Sequence, residues 1–115
     1  MEMPCAVHGM KMANMPNVEE FGLIADVFKI LGDGTRVRLF WILCHGEDCV
    51  LNLATMMDMS SPALSHHLKL LKDSGLVTTR RDGKEVIYRA AATKQAEALH
   101  EIIEKVVSIT CPGIH

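Results

Sequence analysis

The stretch SPALSHHLKLLKDSGLVTTRRDGKEVIY, residues 61–88, decides the fold. Its first half predicts a helix over about residues 61–73. Ser60 supplies a capping oxygen, and Pro62 falls in the first turn, where a missing N–H costs nothing. Leu64, His67, Leu68 and Leu71 recur at helical spacing and form an inward face, whereas Ser65, His66, Lys69 and Lys72 look elsewhere. Gly75 closes the helix as a left-handed cap. The second half predicts two strands, Leu76–Arg81 and Glu85–Ala90, around Asp82 and Gly83, because Asp-Gly between β-prone runs is a strong hairpin signal.

Working outward, residues 50–57 read as a short helix with Leu51, Leu53 and Ala54 apolar. A short helix, a tight turn and a helix with a polar outer face make a helix-turn-helix, whose second helix presents its N-terminal part to the major groove of DNA. Upstream, Thr35 caps a helix through about Cys44, dense in apolar residues (Val37, Leu39, Phe40, Trp41, Ile42 and Leu43). Asn17 with Glu20 makes a capping box for a first helix carrying Phe21, Ile24, Phe28 and Leu31 as one stripe, and Gly32-Asp33-Gly34 ends it. The final helix, about residues 93–110, carries Ala96, Leu99, Ile102, Ile103, Val106, Val107 and Ile109 on more than one stripe. A terminal helix apolar on two sides buries one of them against something outside its own domain, most simply a second copy of the chain. The expected fold is mainly α, with five helices and a two-stranded β wing, as a homodimer through the first and last helices. Residues 1–16 read as a flexible arm, 17–110 as the DNA-binding and dimerisation domain, and 111–115 as a tail.

The 115-residue length fits one domain. No run of about 18 apolar residues predicts a membrane span, and the N-terminus has no basic stretch followed by an apolar block, so a cytoplasmic protein is expected. In that compartment Cys5, Cys44, Cys49 and Cys111 suit metal or redox chemistry better than structural bridges. The net charge of −2 hides a positive segment. Across residues 62–89, Lys69, Lys72, Arg80, Arg81, Lys84 and Arg89 face Asp73, Asp82 and Glu85, a balance of +3. Such a segment is a polyanion footprint. Ser61, Ser65 and His66 are the donors that reach phosphates or base edges from the helix, and Lys69 adds charge further along. Arg80, Arg81 and Lys84 on the hairpin suit phosphate or minor-groove contacts.

The 61–88 stretch, together with Leu31-Gly-Asp-Gly-Thr-Arg-Val-Arg-Leu39, resembles the ArsR/SmtB family of metal-responsive repressors over about residues 18–110. The resemblance implies a winged-helix homodimer that binds double-stranded operator DNA, represses an operon and is released by an inducer. It also implies that Ser65 and His66 touch DNA. Relatives with a metal site at the short helix carry a Cys-Val-Cys-Asp-Leu-like segment there. Here Cys49-Val50-Leu51-Asn52-Leu53 keeps the first thiol and replaces the second with Leu51, which argues against a vicinal-cysteine arsenic site. A related site adds ligands from the N-terminal arm, and Cys5 and His8 suit that part, three residues apart. The family's site on the last helix falls here near Ala92, Lys94, Lys105 and Ser108, which are poor ligands, so it is expected to be absent. Thiol-rich ligation favours Cd(II), Pb(II), Zn(II) or Cu(I) as inducer, and none is required for the fold. The arm's Met1, Met3, Met10, Met12 and Met15 lean towards Cu(I).

The alternative inducer is a persulfide or oxidant acting through a cysteine pair, Cys44 with Cys111. Both stand about one turn later than in the relatives that sense this way. Two further classes carry less weight. A winged-helix protein-interaction module leaves the Ser65-His66 pair and the basic hairpin without a role. An enzyme using Cys44 and His45 lacks an oxyanion site and an acidic orienter, so no enzymatic activity is expected.

Overall fold

The computed structural model describes residues 14–111 and residue 113. Among them are five helices and three strands, in the order α1 (Val18–Ile30), α2 (Gly34–His45), β1 (Asp48–Cys49), α3 (Val50–Met57), α4 (Ser61–Asp73), β2 (Val77–Asp82), β3 (Glu85–Ala90) and α5 (Lys94–Thr110). The strands form one antiparallel sheet in the order β1-β3-β2. The architecture is a winged helix-turn-helix.

Local chemistry sets most of the boundaries. The capping box at α1 is complete: Asn17 Oδ1 accepts from the Glu20 N–H at 2.8 Å, and the Asn17 N–H donates to Glu20 Oε1 at 2.9 Å. Helix α2 starts earlier than Thr35 suggests. Asp33 caps it, with Oδ2 accepting from the Arg36 N–H at 3.0 Å; a carboxylate at a helix N-terminus also gains from the helix dipole. At α4, Ser60 Oγ accepts from the Ala63 N–H at 3.2 Å. The turn between α3 and α4 holds Asp58 at φ 55°, left-handed backbone that Asp tolerates and bulkier residues do not. Gly75 closes the far end of α4 at φ +83°.

The core is built from the inward faces of these helices. Leu39, Phe40, Leu53, Leu64, Leu68, Leu71 and Leu76 are fully or almost fully buried. Leu64, Leu68 and Leu71 anchor the whole inner face of α4, so the outer face is held rigidly. His67 is half-buried beside that face, and its Nδ1 lies 3.2 Å from Arg36 Nη1. It is thus a structural histidine that ties α4 to α2.

Two details of the sheet differ from the sequence expectation. A third strand, β1, pairs with β3 through Asp48 with Tyr88 and Cys49 with Ile87. The hairpin also turns one residue later. Asp82 pairs with Glu85, leaving Gly83 and Lys84 as the loop, with Gly83 at φ +64°. Gly at the first loop position is the type II′ pattern, whose twist matches the strands.

Helix α1 buries no residue at all. Val18, Phe21, Leu23, Ile24 and Phe28 on α1, and Ile102, Val106 and Ile109 on α5, are exposed. No helix among the described residues is long and apolar enough to cross a membrane.

Candidate functional site

The outer face of α4 and the wing carry most of the predicted contact residues. Ser65, His66, Lys69 and Lys72 are exposed along α4, and Ser61 is partly exposed in its first turn. Arg81 and Lys84 are exposed on the hairpin. The cations are not equivalent. Lys69 Nζ lies 3.0 Å from Asp73 Oδ2, one turn along the same helix. Arg80 is held more firmly, with Nε donating to Glu47 Oε2 at 3.0 Å and Nη2 also 3.0 Å from that oxygen. The hydrogen bond and charge of Glu47 raise the Arg80 pKa. In return, the Arg80 side chain holds the Glu47 carboxyl below its ordinary range. Arg80 therefore braces the base of the wing against the loop after α2. Arg81 and Lys84 make no salt bridge among the described residues.

Among the described residues, the candidate sensing cysteines lie on different elements. Cys5 and His8 lie outside the described residues. Cys49 is buried at the N-cap of α3. Beside it, Asp48 Oδ1 accepts from both the Cys49 N–H and Asn52 Nδ2 at 2.8 Å. The Asn52 and Cys49 contacts hold the Asp48 carboxyl below its usual range. Leu51, standing where relatives have a second thiol, points outward and is 68% exposed. Of the described residues near the start of α3, only Cys49 offers a thiol, so a thiol-rich site closes only if the arm reaches it.

Cys44 and Cys111 are not brought together within one chain. Trp41 Nε1 donates to Glu104 Oε1 at 2.9 Å, and His45 Nε2 meets His100 Nε2 at 3.0 Å, so α2 and α5 run antiparallel. Cys44 stands at the end of α2 near the His100 level, while Cys111 caps the far end of α5. Seven residues beyond Glu104 and three beyond Trp41, in opposite directions, separate the two thiols by about 15 Å along the helices. A disulfide tolerates about 7 Å between Cα atoms. On antiparallel helices, placing both cysteines a turn later moves them apart. Burial, and secondarily the Glu104 charge, also raise the Cys44 thiol from 9.0 to about 11, far from the range of a reactive thiolate.

One constellation escaped the sequence reading. His45, His100 and Glu104 place ligand atoms that all lie within 4.8 Å of one another. Three nitrogens converge on Glu104 Oε1: Trp41 Nε1 at 2.9 Å, His100 Nε2 at 3.1 Å and His45 Nε2 at 3.3 Å. The Trp41 hydrogen bond is the main cause of a Glu104 carboxyl held below its ordinary range, with the two imidazoles adding to it. The His100-x-x-x-Glu104 spacing was visible as one helix face; the approach of His45 from 55 residues upstream was not.

Residues 33–79, from the α2 cap through the start of the wing, match the family model for bacterial regulatory proteins of the arsR family. The chain is 35% identical over 88 residues to the biofilm growth-associated repressor of Agrobacterium fabrum, covering 76% of this chain and 72% of that protein. It is 39% identical over 83 residues to a CadC homolog, a cadmium resistance transcriptional regulatory protein of Staphylococcus aureus. That alignment covers 71% of this chain but only 65% of the length of the cadmium regulator. Among solved structures, the homodimeric winged helix-turn-helix DNA-binding domain of a "possible ArsR-family transcriptional regulator" from Mycobacterium bovis superposes with a TM-score of 0.72 at 29% identity, covering 86% of this chain and 91% of that one.

Proposed function

The chain belongs to the arsR family of bacterial regulatory proteins, a family of transcriptional regulators and not of enzymes, and from that premise we propose that it is a cytoplasmic, homodimeric repressor that binds operator DNA through α4 and the β2–β3 wing. The observation that carries this reading is the outer face of α4. Ser65, His66, Lys69 and Lys72 project outward from a helix whose inner leucines are completely buried. A rigid helix with donors and cations on its free face is what major-groove readout needs. Ser61, Ser65 and His66 reach base edges or phosphates; Lys69, Arg81 and Lys84 contact the backbone. Arg80, tied to Glu47, fixes the angle at which the wing meets the DNA.

The exposed apolar residues of α1 and α5 supply the dimer interface. The homodimeric assembly of the Mycobacterium bovis domain supports this. Two copies of α4 would then sit about 34–36 Å apart, one turn of DNA, on a two-fold operator.

The inducer in this reading is a soft or borderline ion, of the Cd(II), Pb(II), Zn(II) or Cu(I) class, held by Cys49 with Cys5 and His8 from the arm. The cadmium regulator among the relatives supports a metal inducer. When bound, the ion would tether the arm to α3, next to α4. The test is fluorescence anisotropy on DNA from the protein's own upstream region, with reduced protein titrated with Cd(II), Zn(II) and Cu(I). Release by one of these ions, abolished in Cys49→Ser and Cys5→Ser, is expected. Release that persists in both variants would overturn the assignment of the thiols.

A further inference from the structure

We propose that His45, His100 and Glu104 form a divalent-metal site of the zinc class between the end of α2 and the middle of α5. This site is separate from the cysteine site and uses a different donor set. Zinc bound at about 2.0–2.1 Å to nitrogen and oxygen in a tetrahedron requires donor atoms about 3.3 Å apart. The three separations are 3.0 Å between the two imidazole Nε2 atoms, 3.1 Å from His100 to Glu104, and 3.3 Å from His45 to Glu104. Three ligand atoms from two antiparallel helices thus already form one triangular face of such a tetrahedron.

Polar groups also crowd at Glu104 Oε1. A carboxylate oxygen has two lone pairs. Glu104 Oε1 meets three nitrogens, and two of them, the imidazole Nε2 atoms, face each other as closely as they face the oxygen. Hydrogen bonding alone satisfies that set poorly: with both Nε2 atoms protonated the two N–H groups oppose each other, and in any other tautomer a nitrogen lone pair faces the carboxylate oxygen. A cation at the centre resolves it. Both imidazoles turn a lone pair to the ion, the carboxylate supplies the negative charge, and the Trp41 N–H stays on Glu104 as the outer hydrogen bond that orients the ligand.

Donor chemistry and access agree. Two imidazoles and one carboxylate suit Zn(II), Co(II) or Ni(II), and lack the thiolates that select Cu(I) or Cd(II). Three protein ligands leave a fourth position to water. The cluster borders a cavity of about 430 Å³ lined in part by Cys44, His45, Ala92, Glu97 and His100, which gives an ion an entry path.

The experiment removes the other ligands first. In a Cys5→Ser/His8→Ala/Cys49→Ala background, Co(II) alone is titrated while the visible spectrum is recorded. Metal-dependent thermal stabilisation with Zn(II) alone is measured in parallel. The expected result is one Co(II) per chain, with the d–d absorption of a low-coordinate site and no thiolate charge-transfer band, together with a rise in Tm. His45→Ala and His100→Ala each weaken binding by about tenfold or more, and so does Glu104→Gln, which keeps an acceptor for Trp41. Because the His45 side chain is 44% exposed, His45→Ala leaves the core intact, and its metal-free Tm checks that. No Co(II) binding in this background, or unchanged binding in His45→Ala and Glu104→Gln, would overturn the site. Neither outcome bears on the cysteine site, whose ligands are absent throughout.

Discussion

Removing Arg81 and Lys84, two wing cations without a salt bridge among the described residues, should change the salt dependence of DNA binding far more than removing the paired Arg80. The perturbation is Arg81→Ala/Lys84→Ala, compared with Arg80→Ala. Arg81 and Lys84 are exposed and form no salt bridge among the described residues, so their charge is free for phosphate. Arg80 is engaged with Glu47 through two contacts at 3.0 Å. Each phosphate neutralised adds about 0.9 to the magnitude of the slope of log K against log salt. A dimer losing two cations per chain therefore loses about 3.6 from that slope. Over a fourfold rise in salt this amounts to roughly a hundredfold difference in how much affinity is lost. Arg80→Ala should leave the slope within about 1 of the wild-type value, since the charge it removes is already balanced by Glu47. The assay is anisotropy on one duplex at a series of salt concentrations. Equal slopes for wild type and Arg81→Ala/Lys84→Ala would refute the assignment of the wing as a phosphate-contacting element. A large change in Arg80→Ala alone would mean that the Glu47 pair opens on DNA.

Three further outcomes follow from the same structure. Val106→Glu places a charge on an α5 face that is 51% exposed in the single chain, so sedimentation should show a folded monomer; an unchanged dimer would move the interface elsewhere. Asp58→Val puts a β-branched residue into left-handed backbone at φ 55° and should cost about 1–2 kcal/mol in chemical denaturation, whereas Asp58→Gly should be nearly neutral. Cys44, raised from 9.0 to about 11 by burial and the Glu104 charge, should hold about a hundredfold less thiolate at pH 8 than a free thiol and alkylate correspondingly slowly. Because the folded-state value is raised, the rate should keep climbing with pH up to about 11, and a plateau near 9 would contradict the burial argument.

The sequence carried the helices well and the long-range pairings poorly, for physical reasons. Capping and periodicity are local. Asn17 with Glu20, Ser60 with Pro62, and the leucines of α4 stand within a turn or two of what they control, and the structure places them as read. The Asp82-Gly83 signal found the hairpin, but not its register. Only the positive φ at Gly83, with Lys84 as its loop partner, fixes that. Strand β1 has two residues, too few for any alternation to appear. Helix α2 starts before Thr35 because Asp33, two residues upstream, takes the cap by accepting from the Arg36 N–H. The contacts that build the candidate sites between elements are the least local. Glu47 reaches Arg80 across 33 residues, and His45 reaches His100 across 55. The antiparallel run of α2 against α5 also decides that Cys44 and Cys111 diverge, which spacing along the chain does not reveal.

In the proposed function α4 reads bases. The most direct test is the ratio of affinities for the cognate upstream duplex and a scrambled duplex, measured by anisotropy for wild type and Ser65→Ala/His66→Ala. Both side chains are exposed, so the fold should be unchanged. The ratio should fall by at least about tenfold, each lost base contact counting for about 1–3 kcal/mol, while scrambled-duplex affinity barely moves. An unchanged ratio, or equal weakening on both duplexes, would contradict base reading by α4.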